Sequence, residues 1–315
     1  MGRWTAWPRM SGAETIPDEF GQIAELFRPL TRGAPEAFNL LDDAAAIPSR
    51  PGWDMVITKD AMVAGVHFAP DAAPAQMAQR LMRANLSDLA AKGAEPFGYF
   101  LMVAWSPEFG WDKRKAFARG LELDGAQFDV SLLGGDTVST SGPFTVSMTA
   151  MGWVPSGAMI RRDSAQVGDL VVCSGLIGEG WLDWGLGLGA HIPVPRLDLR
   201  DTLRRCATAA ADISDGLIAD AAHLAAASGV GLRLDIADMP VSRRAQAWIE
   251  TQPDMGLARL RLATAGDDYE LICTVSPDHA EAFGLTVIGE VTRGGLEVFC
   301  GRQPLEVTSG GWIHH

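Results

Sequence analysis

Aspartates in short, turn-flanked segments recur along the chain. They are Leu41-Asp42-Asp43-Ala44-Ala45, Thr58-Lys59-Asp60, Asn85-Leu86-Ser87-Asp88-Leu89, Gly134-Gly135-Asp136-Thr137, Asp212-Ile213-Ser214-Asp215-Gly216-Leu217 and Gly266-Asp267-Asp268-Tyr269-Glu270. Most lie where an apolar run meets Gly, Ser or Ala, the point at which a rigid element hands over to a turn. Carboxylates scattered in sequence that converge in a fold suit the capture of hard cations such as Mg2+, which takes oxygen ligands and commonly shares those of substrate phosphates. The chemistry indicated is Mg2+-dependent handling of phosphate. The formal net charge of −13 offers no basic footprint for a nucleic acid. It also requires that phosphates be held through metal ions, helix N-termini and a few cations.

Each motif has a plainer reading beside the chemical one. Leu81, Asn85 and Asp88 fall at i, i+4 and i+7 of a helical stretch, hence on one face. There Asp88 is either a metal ligand or ligand-orienting group, or else one member of a buried hydrogen-bonded pair or an early helix cap. In the segment 212–216, Ser214 or Asp215 can cap the helix that follows, and the same helix end can receive a phosphate. Gly134 and Gly135 permit close approach of backbone to a ligand and also make an ordinary turn, with Asp136 at the end of a strand. Acidic pairs such as Asp42-Asp43 and Asp267-Asp268 are usually solvated loop charges. No G-x-x-x-x-G-K-[ST] loop, protein-kinase motif set, G-x-S-x-G elbow or H-x-x-x-H pair is present.

The elements that position these residues follow from periodicity. A helix is expected over 17–28, ended by Pro29, then a strand over 54–68 that breaks at Gly65. A long helix starts at Pro74 and stops at Gly93. Strands at 97–104, 130–133 and 144–154, with a helix at 113–123, complete an α+β first half. After the turn Pro155-Ser156-Gly157 come strands at 169–173, 207–213, 232–236, 269–275 and 285–291 and a helix over 215–227. The expected organisation is a loose leader over 1–17, an α+β domain over 18–155 that carries most of the acidic motifs, and an α/β domain over 156–315.

Composition is that of a globular protein, 47% hydrophobic and 21% charged. Cys173, Cys206, Cys273 and Cys300 are far apart, without a C-x-x-C pair, and read as free thiols in apolar surroundings. No run reaches the roughly 18 apolar residues of a membrane span. A soluble, cytoplasmic protein with no membrane partner is expected.

Taken together and in order, the motifs are far more specific than any one. LDDAAAI at 41–47, ITKDAMVAGVHF at 57–68, NLSDLAAKGAEP at 85–96, GGDT at 134–137, ADISDGLIAD at 211–220, GDDYEL at 266–271 and GGWIHH at 310–315 resemble the thiamine-monophosphate kinase family. That family belongs to the superfamily of aminoimidazole ribonucleotide synthetase and selenophosphate synthetase. The resemblance implies an α+β, two-domain fold: an N-terminal α/β domain that forms a dimeric, β-barrel-like interface, and a C-terminal domain with helices on a mixed sheet. It implies a homodimer, ATP as co-substrate, several Mg2+ ions, and direct in-line transfer to thiamine monophosphate. The implied metal ligands are Asp43, Thr58, Asp60, Asp88, Asp136, Asp212 and Asp215. ATP contacts fall on Gly135, Asp136, Arg162 and Ser214, and substrate contacts on His67, Asp267 and Trp312. Asp88, Asp136, Asp215 and Arg162 are the implied catalytic set. Two positions depart from the family pattern: Lys59 replaces Thr or Ser, and Asp267 replaces Glu. The alternative readings are a related ATP-dependent synthetase, of the aminoimidazole ribonucleotide synthetase kind, and a non-catalytic nucleotide-binding homologue.

Overall fold

A computed structural model describes residues 16–69, 71–185, 191–280, 285–308 and 310–311. The first half is built on a four-stranded sheet. Its strands are β1 (Trp53–Val63), β2 (Glu95–Trp105), β3 (Ser131–Ser139) and β4 (Thr145–Pro155), in the order β1-β4-β2-β3. β4 runs antiparallel to both β1 and β2, whereas β3 lies parallel to β2. A short helix, α1 (Glu19–Gln22), precedes the sheet. The parallel step requires a crossover, supplied by α3 (Trp111–Phe128), which packs beside α2 (Pro74–Ala91) on one face. The period of two along β1 turns Val56, Thr58, Asp60 and Met62 toward the helices and Ile57, Lys59 and Ala61 away from them. Trp105, Phe109, Phe117 and Phe144 close the core between sheet and helices, with the Phe109 and Phe144 rings stacked at 4.1 Å between centroids.

The second half carries a seven-stranded mixed sheet. It comprises β5 (Leu170–Cys173), β6 (Ala207–Asp212), β7 (Gly231–Asp235), β8 (Leu271–Val275), β9 (Thr286–Thr292), β10 (Leu296–Cys300) and β11 (Gln303–Leu305), in the order β11-β10-β7-β9-β5-β8-β6. Only β10 and β7 pair in parallel. One face is covered by α4 (Glu179–Gly185), α6 (Leu217–Ser228), α7 (Arg243–Glu250) and α8 (Met255–Ala263). The other face meets α5 (Arg200–Cys206) and the last turn of α2, where Ala91 packs with Val172, Leu203, Ala210 and Cys273.

Helix α2 therefore belongs to both halves. Pro74 opens it, where a missing N–H costs nothing, and Gly93 at φ +68° ends it. Along its length Arg80, Arg83, Ser87 and Lys92 hydrogen-bond to the carbonyls of His191, Pro193, Tyr269 and Ala210, all in the second half.

Several expectations need correction. Pro29 does not end the first helix. The path continues from α1 through a wider turn at Ile23–Phe27 into a 3-10 turn at Arg28–Thr31, where a proline near the start has no donor to lose. Asp136 is not at the end of a strand, because β3 continues to Ser139 and pairs Asp136 with Met102. The helices α7 and α8 and the strands β10 and β11 were not anticipated. The 185–189 glycine-rich run and the leader fall largely outside the described residues. The four cysteines are free, Cys173 and Cys273 being buried. Among the described residues no helix is long and apolar enough to cross a membrane.

The α2–α3 packing depends on a glycine. A Cβ on Gly120 would lie 2.3 Å from the carbonyl oxygen of Ala75, which belongs to the opposing helix's first turn. Gly120→Ala is expected to lower unfolding free energy by about 1–3 kcal/mol, read from urea denaturation. An unchanged midpoint would mean that the helices do not approach this closely.

Candidate active site

A cavity of about 780 Å3 lies where β1, α2, the end of β6 and the 264–269 segment face one another. Asp60 comes from β1, Asp88 from α2 and Asp212 from the last position of β6; Ser214 and Asp215 follow on the turn into α6. Thr58, two residues before Asp60 and on the same face of β1, donates its hydroxyl to the Asp88 carboxylate. The three carboxylates are close enough to disturb one another. Burial, and then the charge of Asp88, pushes Asp60 up to about 7. Asp212 is driven well above the carboxylate range by burial first, then by Asp88, Asp220 and Asp60, with Arg162 opposing.

The turn after β6 is built by a residue outside the expected set. One carboxylate oxygen of Asp220 accepts the backbone N–H groups of Ser214, Asp215 and Gly216, at 3.0, 3.1 and 3.2 Å. This corrects the capping assignment. Gly216, not Ser214 or Asp215, occupies the N-cap at φ +128°, and Asp220 in the first turn reaches back to the N–H groups of the turn that leads into it. The side chains of Ser214 and Asp215 are thereby left facing the cavity. The turn is zipped to the second acidic motif: the Asp267 N–H donates to the Ser214 carbonyl at 2.8 Å, and the Ile213 and Glu270 backbones pair at 2.7 Å. Asp267 and Tyr269 pay for this path with left-handed backbones, at φ +72° and +53°.

The same cavity also has lining residues of a different character. It holds His67, Arg80, Trp181, Arg261, Asp267 and Tyr269. His67 Nδ1 accepts the Val63 N–H at 3.0 Å, which places the neutral ring's proton on Nε2. Arg80 is 4% exposed and ion-paired to Asp267. The stripe of α2 facing the cavity is thus Arg80, Ala84 and Asp88, at i, i+4 and i+8. Asn85 does not line the cavity: it is fully buried, its amide donates to the Leu81 carbonyl at 2.9 Å, and its Oδ1 has no partner among the described residues.

The remaining expected residues lie elsewhere. Asp43, Gly135 and Asp136 line a separate cavity of about 170 Å3 between the loop 42–45 and β3. Gly135 is fixed by geometry, since a Cβ there would fall 1.8 Å from the Leu101 carbonyl oxygen. Arg162 is exposed, and its charge reaches Asp212 and Asp220. Trp312 lies outside the described residues, although Gly311 lines the main cavity. Lys59 points to the face opposite Asp60 and donates to Ser147 at 2.8 Å.

The donor set fits Mg2+. Among the described residues no three His, Cys, Asp or Glu side chains form a ready-made metal cage. Mg2+ usually takes one or two carboxylates and completes its shell with waters and substrate phosphates. Buried, mutually repelling carboxylates are stabilised when such a cation joins them.

Family models describe residues 41–154 as the N-terminal domain, and residues 190–301 as the C-terminal domain, of AIR synthase related proteins. The thiamine-monophosphate kinase of Caulobacter vibrioides is 51% identical over 324 aligned positions, covering 96% of this chain and 92% of that one. The chain belongs to the thiamine-monophosphate kinase family. The crystal structure of the family member from Stenotrophomonas maltophilia superposes with a TM-score of 0.78 at 34% identity, over 89% of this chain and 96% of that chain. AaThiL complexed with AMPPCP and TMP superposes with a TM-score of 0.76 at 25% identity, over 94% and 97%. The kinase family shares the mixed α/β, two-domain fold described above. Within this chain the first sheet is open, not a closed barrel.

The wall of the cavity also contains a titrating support. Asp268 accepts backbone N–H groups from Gly178 at 2.9 Å and Gly180 at 3.2 Å, yet burial pushes its carboxyl up to about 8. The native state then keeps the proton to about pH 8 while the unfolded chain releases it near 3.8, so stability falls as pH rises through that window. Asp268→Asn is expected to remove this slope: in urea titrations across the window, wild type loses ground to the variant as pH rises. A pH-independent difference would show that Asp268 is ionised throughout.

Proposed function

We infer that this chain transfers the γ-phosphoryl group of ATP to thiamine monophosphate, giving thiamine diphosphate and ADP. The observation that carries the reading is the composition of one cleft. Carboxylates suited to Mg2+ and phosphate line the same cavity as polar and aromatic groups suited to a heteroaromatic ring, in a chain 51% identical to a thiamine-monophosphate kinase. AaThiL binds an ATP analogue together with TMP on the same fold.

The acceptor is itself a phosphate with a second pKa near about 6, so it is largely deprotonated at neutral pH and needs no strong general base. The obstacle is repulsion between two polyanions. When bound, Mg2+ supplies charge neutralisation and alignment of donor and acceptor oxygens. We propose that Thr58, Asp60, Asp88, Asp212 and Asp215, with Asp43 and Asp136, hold several such ions, and that Gly135, Asp136, Arg162 and Ser214 contact ATP. His67, Asp267 and Trp312 are assigned to the thiamine moiety, with Asp267 reaching it as half of the Arg80 pair. Asp88, Asp136, Asp215 and Arg162 act nearest the transferred group. Transfer is direct and in-line, with no phosphoenzyme.

We further propose a homodimer and domain limits at 18–155 and 156–315. The outer face of the first sheet supports the dimer: Ile57 is 60% exposed there, and β1 and β3 are both open edges. A second copy laid against this face gives the barrel-like interface, and it accounts for Asp43 and Asp136 lying apart from the other ligands. Four free thiols suit a cytoplasmic location.

Mass spectrometry after incubation with Mg2+-ATP is expected to find thiamine diphosphate from thiamine monophosphate and none from thiamine. Asp88→Ala, folded as wild type by circular dichroism, is expected to lose activity by about a hundredfold or more; wild-type turnover would overturn the ligand assignment. Ile57→Arg is expected to convert the dimer to monomer in light scattering, and an unchanged mass would place the interface elsewhere.

A further inference from the structure

Trp181 lines the cavity and has an unusual neighbour. The exposed Arg261 places its guanidinium carbon 5.1 Å from the centroid of the Trp181 ring. Among the described residues Arg261 has no carboxylate partner, so the indole face is its anchor. Both residues line the cavity.

The indole itself is held firmly. Its edge meets Trp248 at 4.9 Å between centroids, in a T-shaped contact. The helix carrying it is tied at two points by Arg244, which bonds Glu179 and Asp183 at 2.8 Å each. The preceding residue, Gly180, lies so close to Asp267 that a Cβ on it would fall 2.4 Å from the Asp267 carbonyl oxygen. Trp181 is thus a pre-positioned aromatic surface beside a residue assigned to the substrate, with an exposed cation resting on it. Tyr269, on the same wall, differs: the cation over its ring is Arg80, which is buried and ion-paired.

We propose that Trp181 is the stacking surface for the cationic ring of the substrate and that Arg261 is a placeholder, which the substrate ring displaces on binding. An indole face attracts a cation through its quadrupole, and a thiazolium carries both a positive charge and a flat π-system. Exchange of one cation for another keeps the electrostatics of the ring satisfied in the empty and filled states. An exposed arginine that no carboxylate among the described residues holds can swing off the ring. This specificity role rests on the thiamine-monophosphate reading.

The test measures KM for thiamine monophosphate and for ATP separately, together with Tm. Trp181→Leu, which keeps apolar bulk without a π-face, is expected to raise the thiamine-monophosphate KM about tenfold with the ATP KM unchanged. Trp181→Phe is expected to stay within about threefold of wild type, and Arg261→Ala to lower the thiamine-monophosphate KM about two- to fivefold. Equal losses for Phe and Leu, a parallel rise in the ATP KM, or a higher KM in Arg261→Ala would each overturn the proposal. If Trp181→Leu does not fold, the Phe and Arg261 variants decide by the same thresholds. A wild-type protein inactive on thiamine monophosphate would refute the underlying reading, whereas an active wild type with an indifferent Trp181→Leu refutes only this inference.

Discussion

Like charges held together at the wall of one cavity are the constraint around which this structure is organised. Asp60, Asp88 and Asp212 come from a strand, a helix and a second strand in two different sheets. Burial and repulsion by neighbouring carboxylates raise Asp60 and Asp212. A protein accepts this cost only where something else holds the elements together. Here the hydrogen bonds from α2 to the second half, and the apolar seam of Ala91, Val172 and Ala210, do so. The carboxylates are brought together by packing that does not involve them.

The second acidic motif shows the same division of labour. Asp267 faces the cavity, whereas Asp268, its neighbour, points into the wall and ties down the Gly178–Gly180 backbone. Asp220 likewise never needs to touch a substrate to shape the turn bearing Ser214 and Asp215. Side chains that face the cavity are thus backed by acids of the same kind that meet only backbone. Counting aspartates would overstate the number of metal ligands for this reason.

Much of this was legible in the residues. Pro74 and Gly93 bracket α2 to within two residues of its ends, and the alternation along β1 puts Thr58 and Asp60 on one face. The cavity stripe of α2 was misjudged by one position, because a 3.6-residue period leaves adjacent stripes such as 80/84/88 and 81/85/88 nearly equivalent until the partner is known. Gly134 and Gly135 were taken to end a strand that in fact continues, since parallel pairing with β2 supplies what their missing side chains cannot. Helices α7 and α8 are short, and the side-chain caps that start them, Ser242 and Asp254, are common loop residues. Trp181, Arg80 and Arg261 gave no signal at all: their significance lies wholly in which residues from distant segments they meet.

Helix α2 also bears on what a fragment of this protein would be. Its flank completes the first core and its last turn caps the underside of the second sheet. A chain cut at the linker after β4 would leave the C-terminal half with an uncovered apolar floor and the N-terminal half with a helix whose basic side chains have lost their carbonyl acceptors. Neither piece inherits a finished surface. The two halves are separable as architectures but mortgaged to one another as folding units, and hydrogen exchange along α2 would report the opening of the whole molecule instead of either half alone.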